Sequence, residues 1–345
     1  MIRVLFLFAF PAALSIGLAA EDITPRVGTV EIYGAHKSSV EKIRAALGVK
    51  EGSPLPSSKG NVEDRIDKVP GVIASRLEAA CCLDGKTILY VGIEEKDSLH
   101  IEYRPEPDGD ITLQSELTDN YAAFLDAVNQ SIRGGQHDEN LSHGYSLMAD
   151  AAAQERQRAF IPLAAKYLET VHRVIRDSRD PDQRAMAAYI MQYGPRGPHT
   201  SLQLVNDLQF ALRDVDDTVR ANAIRSLTAM YVGAKLHPDQ GITVQPTWFV
   251  ELLNSIVWSD RHNASVALVD MTEDHDSDTL QLIRQRALGS VIEMARWRDL
   301  SHALPAFILA GRLAGLDEKA IQAAWVSPGH DEVLKQALKK PKSSV

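Results

Sequence analysis

The chain of 345 residues is 45% hydrophobic, 6% aromatic and 24% charged, and 46 acidic against 37 basic side chains give a formal net charge of −9. The apolar fraction is too high for a disordered chain, and two cysteines are too few for a disulfide-dense scaffold. An acidic chain without a basic stripe also argues against a nucleic-acid-binding protein.

The N-terminal segment is typical of a secretory signal peptide. Arg3 provides a positive start, residues 4–18 are almost wholly apolar, and Ala19 and Ala20 are small enough for a signal peptidase. The apolar run is shorter than the ~20 residues that span a bilayer, although an uncleaved membrane anchor is the alternative interpretation. We expect residues 1–20 to be removed after Ala19 or Ala20. The mature protein would then be periplasmic or secreted, and not membrane-embedded.

Residues 24–104 are predicted to form a small mixed domain. The pattern indicates a strand, two helices and two strands, over residues 27–34, 40–47, 62–69, 73–83 and 87–93. An Asp-Gly pair predicts a hairpin turn between the last two strands. Leu89, Val91 and Ile93 share one face of the final strand, and we expect that face to pack on the two helices.

This order of elements, with several residues at the element junctions, resembles a POTRA domain. The residues that carry the resemblance are Val30, Ile32, Gly34, Gly52, Leu55, Pro70, Gly71, Val72, Val91, Ile93, Glu94 and Glu95. POTRA domains are β-α-α-β-β modules found in the periplasm beside outer-membrane assembly barrels and in some cell-division proteins. Family members usually continue into a β-barrel or a membrane anchor, whereas this chain continues into helices.

Two prolines, one glycine and three acidic residues within residues 105–110 predict a linker over residues 105–119. The rest of the chain, residues 120–345, is rich in Ala and Leu at helical spacing, which predicts an all-α domain. Residues 134–148 do not fit this helical pattern, and one interpretation is that they cover the first helices. Amphipathic stretches within residues 316–338 are predicted to cap the end of the domain.

A helix–turn–helix motif recurs in this all-α region roughly every 40 residues. Its copies are residues 180–191, 213–227 and 259–268, with a weaker one from Asp299, and their turns contain Asp180, Asp216, Asp260 and Asp299. We expect each Asp to cap the second helix of a pair, and the arginine four positions on (Arg184, Arg220) to reach an Asp of a neighbouring turn. The pattern resembles HEAT repeats of the PBS-lyase HEAT-like class, which implies a stacked α-solenoid. We interpret Arg184, Asp216 and Arg220 as structural, with ligand binding as the alternative.

The residue patterns predict no catalytic, cofactor-binding or metal-ligating residue. A nucleophile elbow, a P-loop and a dinucleotide fingerprint are all missing, and the histidines His137, His143 and His199 lack the spacing of a zinc site. The acidic run 272–278 could bind a hard cation such as calcium, but we favour a solvated loop in which Asp278 caps a helix.

The adjacent residues Cys81 and Cys82 leave three interpretations open. Cys81 could be a plain buried residue with Cys82 facing outward, because neighbouring strand residues point to opposite faces. The two could instead form a vicinal disulfide, or either could pair with another molecule in an oxidising compartment.

The resulting fold class is α+β with two domains, a POTRA-like module followed by an all-α HEAT-like solenoid. The functional hypothesis is an exported, non-enzymatic interaction scaffold. It would bind protein partners of the cell envelope or periplasm through the helical-repeat surface and the small module, without a cofactor. The alternative is a chromophore-lyase-like enzyme or enzyme accessory, because some HEAT-like families resemble phycobilin lyases.

Overall fold

The computed structural model of the protein describes residues 25–83, 85–96, 98–325 and 329–339. Its architecture is mixed α/β, with a small N-terminal sheet followed by a helical repeat region. The predicted signal peptide, residues 1–20, lies outside the described residues. Within those ranges, no helix combines the length and the hydropathy needed to cross a membrane.

The described chain divides into two compact units that differ from the predicted domains. One unit is Glu102–Phe249, and the other combines residues 25–101 with residues 250–339. The sheet domain predicted for residues 24–104 therefore shares its unit with C-terminal helices. The helices predicted as one domain over residues 120–345 belong to both units.

The small sheet domain has the predicted order of elements. These are β1 (Val27–Tyr33), α1 (Val40–Leu47), α2 (Lys59–Ile66), β2 (Val72–Leu83) and β3 (Lys86–Glu95). β3 is central, and it pairs in parallel with β1 and antiparallel with β2. Ser39 and Ser58 cap the two helices by accepting hydrogen bonds from the amides of Lys42 and Asn61. Local capping therefore defines where both helices begin.

One face of the sheet packs on the two helices. Leu89, Val91 and Ile93 belong to a core that also includes side chains of β1, α1 and α2, namely Val30, Ile43, Leu47, Val62 and Ile66. The predicted packing of this strand face on the helices is confirmed. Each such side chain contributes about 1.5–3 kcal/mol when it is fully buried, so this face stabilises the packing of the two helices on the sheet.

The unit Glu102–Phe249 contains helices that stack as a repeat. Its elements are α3 (Ser115–Arg133), β4 (Glu139–Asn140), β5 (Leu147–Met148), α4 (Ala151–Lys166), α5 (Leu168–Asp177), α6 (Pro181–Ile190), α7 (Pro198–Ala211) and α8 (Asp217–Leu236). Within each pair α5 contacts α6 and α7 contacts α8, and between pairs α5 contacts α7 and α6 contacts α8. Equivalent helices therefore lie side by side, which is the arrangement of a helical repeat.

The residues predicted as a linker are held by the helical unit over much of their length. We call residues 103–110 the strap. The amide of Arg104 donates to the carbonyl of Arg213 (2.8 Å), and the amide of Gly109 donates to Asp177 (2.9 Å). The amide of Arg179 donates in return to the Gly109 carbonyl (2.8 Å). The strap thus runs across two consecutive turns between paired helices, and α3 begins inside the predicted linker.

Residues 134–148 form a short hairpin over the first repeat, as one sequence interpretation anticipates. The amide of Met148 donates to Gln157 on α4 (2.6 Å), and the hydroxyl of Tyr193 donates to the Ser146 carbonyl (2.8 Å). A side chain at Gly233 on α8 would collide with the backbone of Gly144, so the hairpin and the helix meet at two glycines.

The C-terminal helices continue the pairing in the second unit. They are α10 (Trp258–Met271), α11 (Ser277–Arg286), α12 (Leu288–Met294), α13 (Leu300–Leu313), α14 (Glu318–Trp325) and α15 (His330–Ala337), and α9 (Thr247–Leu252) crosses the boundary. α13 contacts α10, α11 and α12, and it also contacts both terminal helices. The final two helices therefore cover the end of the helical array.

Acidic caps begin three of the four predicted second helices. Asp180, Asp216 and Asp299 each accept a hydrogen bond from a backbone amide in the first turn of their helix. The prediction for Asp260 is wrong, because α10 begins two residues earlier and has Val257 at the capping position. Asp260 is instead fully buried and accepts a hydrogen bond from the Ser255 hydroxyl (2.7 Å).

The second face of the sheet packs against the C-terminal helices. Tyr33 on β1 donates to the carbonyl of Ile256 (2.7 Å), and Tyr90 on β3 stacks on Trp258 of α10 with ring centroids 4.9 Å apart. Glycine is required at position 92, opposite Tyr33 in the sheet, because a Cβ there would overlap the Ile256 carbonyl. β3 is therefore buried on both faces.

We predict that Gly92→Ala destabilises the unit by about 3 kcal/mol, because the added methyl group must displace the helices from the sheet. The measurement is urea unfolding followed by tryptophan fluorescence, since Trp258 and Trp297 both lie at this contact. Gly60→Ala is the matched control, because no atom lies within 4 Å of its added methyl group. An equal effect of both substitutions would contradict the prediction.

Candidate interaction surfaces

The arginines of the repeat motif tie the turns of the first unit together. Arg184 is fully buried and forms two hydrogen bonds to Asp214 in the next turn, of 2.8 and 2.9 Å. Arg220 donates to the carbonyls of Asp214 and Val215 in its own turn. These contacts are internal to the turns, and removal of either partner from the buried Arg184–Asp214 ion pair would leave an uncompensated charge.

The third copy of the motif binds its own turn, through the carbonyl of Ser255, and it also holds the sheet. Arg261 occupies the position of Arg184 and Arg220, and its guanidinium lies over the ring of Tyr33. It also donates to Glu293 (2.8 Å), whose other oxygen accepts the amide of Gly34 (2.8 Å). The same repeat position therefore serves a different contact in the second unit.

Aromatic and histidine side chains fill the contact between the sheet and the helices. Trp258 stacks on His262 with centroids 5.1 Å apart, and His262 lies 5.2 Å from His302. Tyr90 and His302 share a hydrogen bond of 2.7 Å between the hydroxyl and Nδ1. Nδ1 of His262 is buried without a hydrogen-bond partner.

Burial keeps both histidines of this cluster neutral. It lowers the pKa of His262 to about 3, with a further decrease from His302 and a partial opposing effect of Asp299. Burial also lowers the pKa of His302, again opposed by Asp299. The cluster is therefore a neutral core at ordinary pH, and it couples the stability of the unit to pH.

A cleft of about 360 Å³ lies between β1 and α12. Glu31, Glu293, Arg296 and Trp297 line it, together with smaller residues. Burial raises the pKa of Glu31, although the amide and guanidinium of Arg298 oppose this effect. Glu31 accepts the Arg298 amide (3.0 Å), and Glu293 is bonded as described above. The acidic groups of the cleft are therefore engaged within the unit.

The outer edge of β2 is a place where an extended partner could bind. β2 lies at the end of the strand order β1-β3-β2, and the amide of Leu77 donates outward to Glu63 (2.7 Å). Alternate residues of an antiparallel strand direct their backbone groups to the same side. The amide and carbonyl of Ala79, two residues after Leu77, therefore also face away from β3, and Ala79 is exposed.

The other residues singled out in the sequence lie apart from one another. His143 stacks on Tyr145, while His199 is exposed on α7. In the acidic run, Asp276 caps α11 by accepting the Thr279 amide (2.8 Å), so the predicted cap at Asp278 is wrong. Among the described residues, no group of three or more His, Cys, Asp or Glu side chains is placed to hold a metal ion.

Cys81 is disulfide-bonded and exposed at the end of β2. The interpretation of Cys81 as a plain buried residue is therefore wrong. The side chain of Cys82 lies outside what the structure describes.

The contact between the sheet and the C-terminal helices is not among the features predicted from the sequence. The run from Ile88 to Ile93 contains no charged residue, which is the composition of a strand buried on both faces. That feature was available in the sequence, whereas the identity of the covering helices was not. Trp258, Trp297 and His302 are distant in sequence, and no spacing connects them with β3.

No known protein family matches the chain, and no curated protein matches it. Among solved structures, a designed armadillo repeat protein aligns with 54% of this chain and 92% of its own, at 15% sequence identity and a TM-score of 0.35. A similarity at this level carries no argument about function. The repeat assignment therefore depends on the helix contacts described above.

We predict that His262→Phe makes the protein less sensitive to acid. The pKa of His262 is lower in the folded state than in an unfolded chain, so its stabilising effect is complete above about pH 6.5 and is lost as the pH falls toward about 3. The loss amounts to about 1.4 kcal/mol per pH unit. Phenylalanine retains the stack on Trp258 without a titrating group.

The measurement is the free energy of unfolding at pH 7 and pH 5, by urea with tryptophan fluorescence. The variant should lose about 2 kcal/mol less than the wild type over this interval. His199→Phe is the control on an exposed helix position and should keep the wild-type pH dependence. Equal losses for wild type and His262→Phe would refute the assignment.

We predict that Gly109→Ala detaches the strap. Its Cβ would overlap the Asp177 carbonyl, so the backbone hydrogen bonds on both sides of this residue must lengthen. Amide hydrogen exchange at Arg104 and Gly109 should accelerate by at least tenfold, because about 1.4 kcal/mol of protection corresponds to that factor. Gly197→Ala, where nothing lies within 4 Å, should leave both amides protected. Unchanged exchange in Gly109→Ala would exclude this account.

Proposed function

We propose that the protein is a non-enzymatic scaffold that binds other proteins through their extended segments. The observation that supports this most directly is the strap. Its backbone amides at Arg104 and Gly109 bond to turn carbonyls of the helical repeat. The ridge formed by those turns thus already binds an extended polypeptide in cis, through backbone groups that any sequence can supply.

The free edge of β2 supplies the second surface of the proposal. An extended segment can add to an exposed strand through main-chain hydrogen bonds, with Ala79 at the accessible point of this edge. The POTRA-like order of elements is consistent with that mode. Two surfaces for extended segments on one chain favour a bridging role, in which two partners are bound at once.

The proposal includes export and partners in the cell envelope. Its support is the N-terminal sequence pattern of residues 1–20 together with the resemblance of the small module to periplasmic POTRA domains. The HEAT-like character of the repeat belongs to the same proposal. None of the contacts among the described residues favours the chromophore-lyase-like alternative.

Site-specific photo-cross-linking in cells tests the proposal. A photoreactive residue at Val215, which is 49% exposed in a turn of the ridge, or at Ala79 should capture discrete and reproducible protein adducts. Leu202 is the matched control, because it is 58% exposed near the start of α7, away from the turn that follows this helix. Ala79→Pro should remove the adducts of a photoreactive residue at the exposed Arg76, because proline lacks the outward amide.

Two outcomes would contradict the proposal. One is the recovery of no reproducible adduct from either surface position. The other is the same set of adducts from Leu202, which would indicate nonspecific collision.

A further inference from the structure

Three arginines of the first unit, one of them in the strap, lie over two aromatic rings. The guanidinium groups of Arg104 and Arg176 both lie over the ring of Phe210, and that of Arg176 is 4.3 Å from its centroid. Arg213 comes just after α7, the helix that carries Phe210, and its guanidinium lies 4.6 Å from the centroid of the Trp248 ring. We call Arg104, Arg176 and Arg213, with these two rings, the arginine cluster.

Positive charge exceeds negative charge in this cluster. Arg176 pairs with Asp207, and the neighbouring Arg184 pairs with Asp214. Among the described residues, neither Arg104 nor Arg213 forms an ion pair, and Nε of Arg213 is buried without a hydrogen-bond partner. The three arginines of the cluster and Arg184 together carry four positive charges, and two carboxylates partly neutralise them. This local excess of positive charge occurs in a chain whose net charge is −9.

The cluster is also partly withdrawn from solvent. All three arginines are half-buried, and burial is the main reason why the pKa of Arg104 falls to about 10. Arg176, Arg213 and Arg184 lower it further, whereas Asp214 opposes them. Like charges repel one another more strongly in a desolvated site, and a bound anion would relieve the repulsion between these guanidinium groups.

We propose that the arginine cluster binds a carboxylate side chain of an acidic peptide segment in the protein partner. This inference rests on the proposed scaffold function and specifies the chemistry of the segment bound beside the strap. Guanidinium groups bind carboxylates through paired N–H donors, and the two unpaired arginines supply donors on adjacent positions. The aromatic rings hold these side chains in place, so little rotamer entropy is lost on binding.

The neighbourhood favours a peptide over a polyanion. The strap shows that extended chain fits along these turns, and its residue Arg104 is part of the cluster. A nucleic acid or an anionic membrane would require a wider basic surface, whereas the rest of this acidic chain repels such partners. A short run of Asp or Glu residues needs only the local donors.

The test is the binding of a fluorescent ten-residue peptide of alternating Asp and Ser to the full chain, followed by anisotropy at low salt. The corresponding Asn and Ser peptide controls for charge, and inorganic phosphate is the free-anion competitor. Arg213→Gln and Arg104→Gln should each weaken binding of the acidic peptide by at least tenfold. Arg173→Gln, an exposed arginine on the same helix as Arg176, should leave the affinity unchanged.

Arg213→Lys separates binding from folding, since it keeps the charge but loses the fork of donors, and it should fall between wild type and Arg213→Gln. Thermal unfolding of each variant shows whether it folds. Equal affinities for Arg213→Gln and Arg173→Gln would overturn the inference, as would equal binding of the neutral peptide. Full displacement by phosphate at a concentration equal to that of the peptide would also overturn it.

The same variants distinguish this inference from the proposed function. If Arg104→Gln and Arg213→Gln retain the cross-links at Val215, the scaffold function holds and the acidic-peptide assignment fails. If the wild type yields no cross-links, the scaffold function itself fails. Loss of cross-links in both glutamine variants but not in Arg173→Gln supports both.

Discussion

The burial of β3 on both faces is the constraint on which the sheet-bearing unit depends. Leu89 and Val91 face the two short helices, whereas Tyr90 and Gly92 face the C-terminal helices. A three-stranded sheet covered by two short helices buries little apolar area, and domains of this size are only marginally stable alone. Packing of the second face on α10 adds aromatic burial and directional hydrogen bonds, so the sheet and these helices form one compact unit.

Buried arginines share one contact along the repeat and differ in the others. Each of the three donates to the carbonyl of the residue six positions earlier, in its own turn. Arg184 in addition bridges to the next turn, and Arg261 in addition reaches the sheet. The local helix geometry is the same in all three cases, because the arginine follows the capping position by four residues. The additional partner differs, since it depends on which chain segment lies over the turn. The repeat motif thus fixes the position of the arginine on the helix, whereas the neighbouring segment in the tertiary structure determines what else the arginine contacts.

The order of the five N-terminal elements was predictable because it depends on local chemistry. Serine caps, glycine turns and the alternation of apolar residues act within a few positions of the chain. The candidate surfaces were less predictable. The strap has the proline-rich composition of a linker, yet its backbone bonds to carbonyls near Asp177 and Arg213, which lie far away in sequence. The composition indicates the conformational entropy that is lost when such a segment becomes ordered. It does not show which groups of the protein bind the segment.

The sequence by itself determined the helices, the strands, most of the caps and the absence of a recognisable catalytic motif. Each of these follows from propensity, periodicity or spacing within a short window. Only the tertiary structure decided that the sheet has a second buried face, that His262 is a buried neutral residue and that Arg104 joins Arg176 and Arg213. The reason is physical: burial, desolvation and the meeting of like charges depend on contacts between segments distant in sequence, and no local pattern records them.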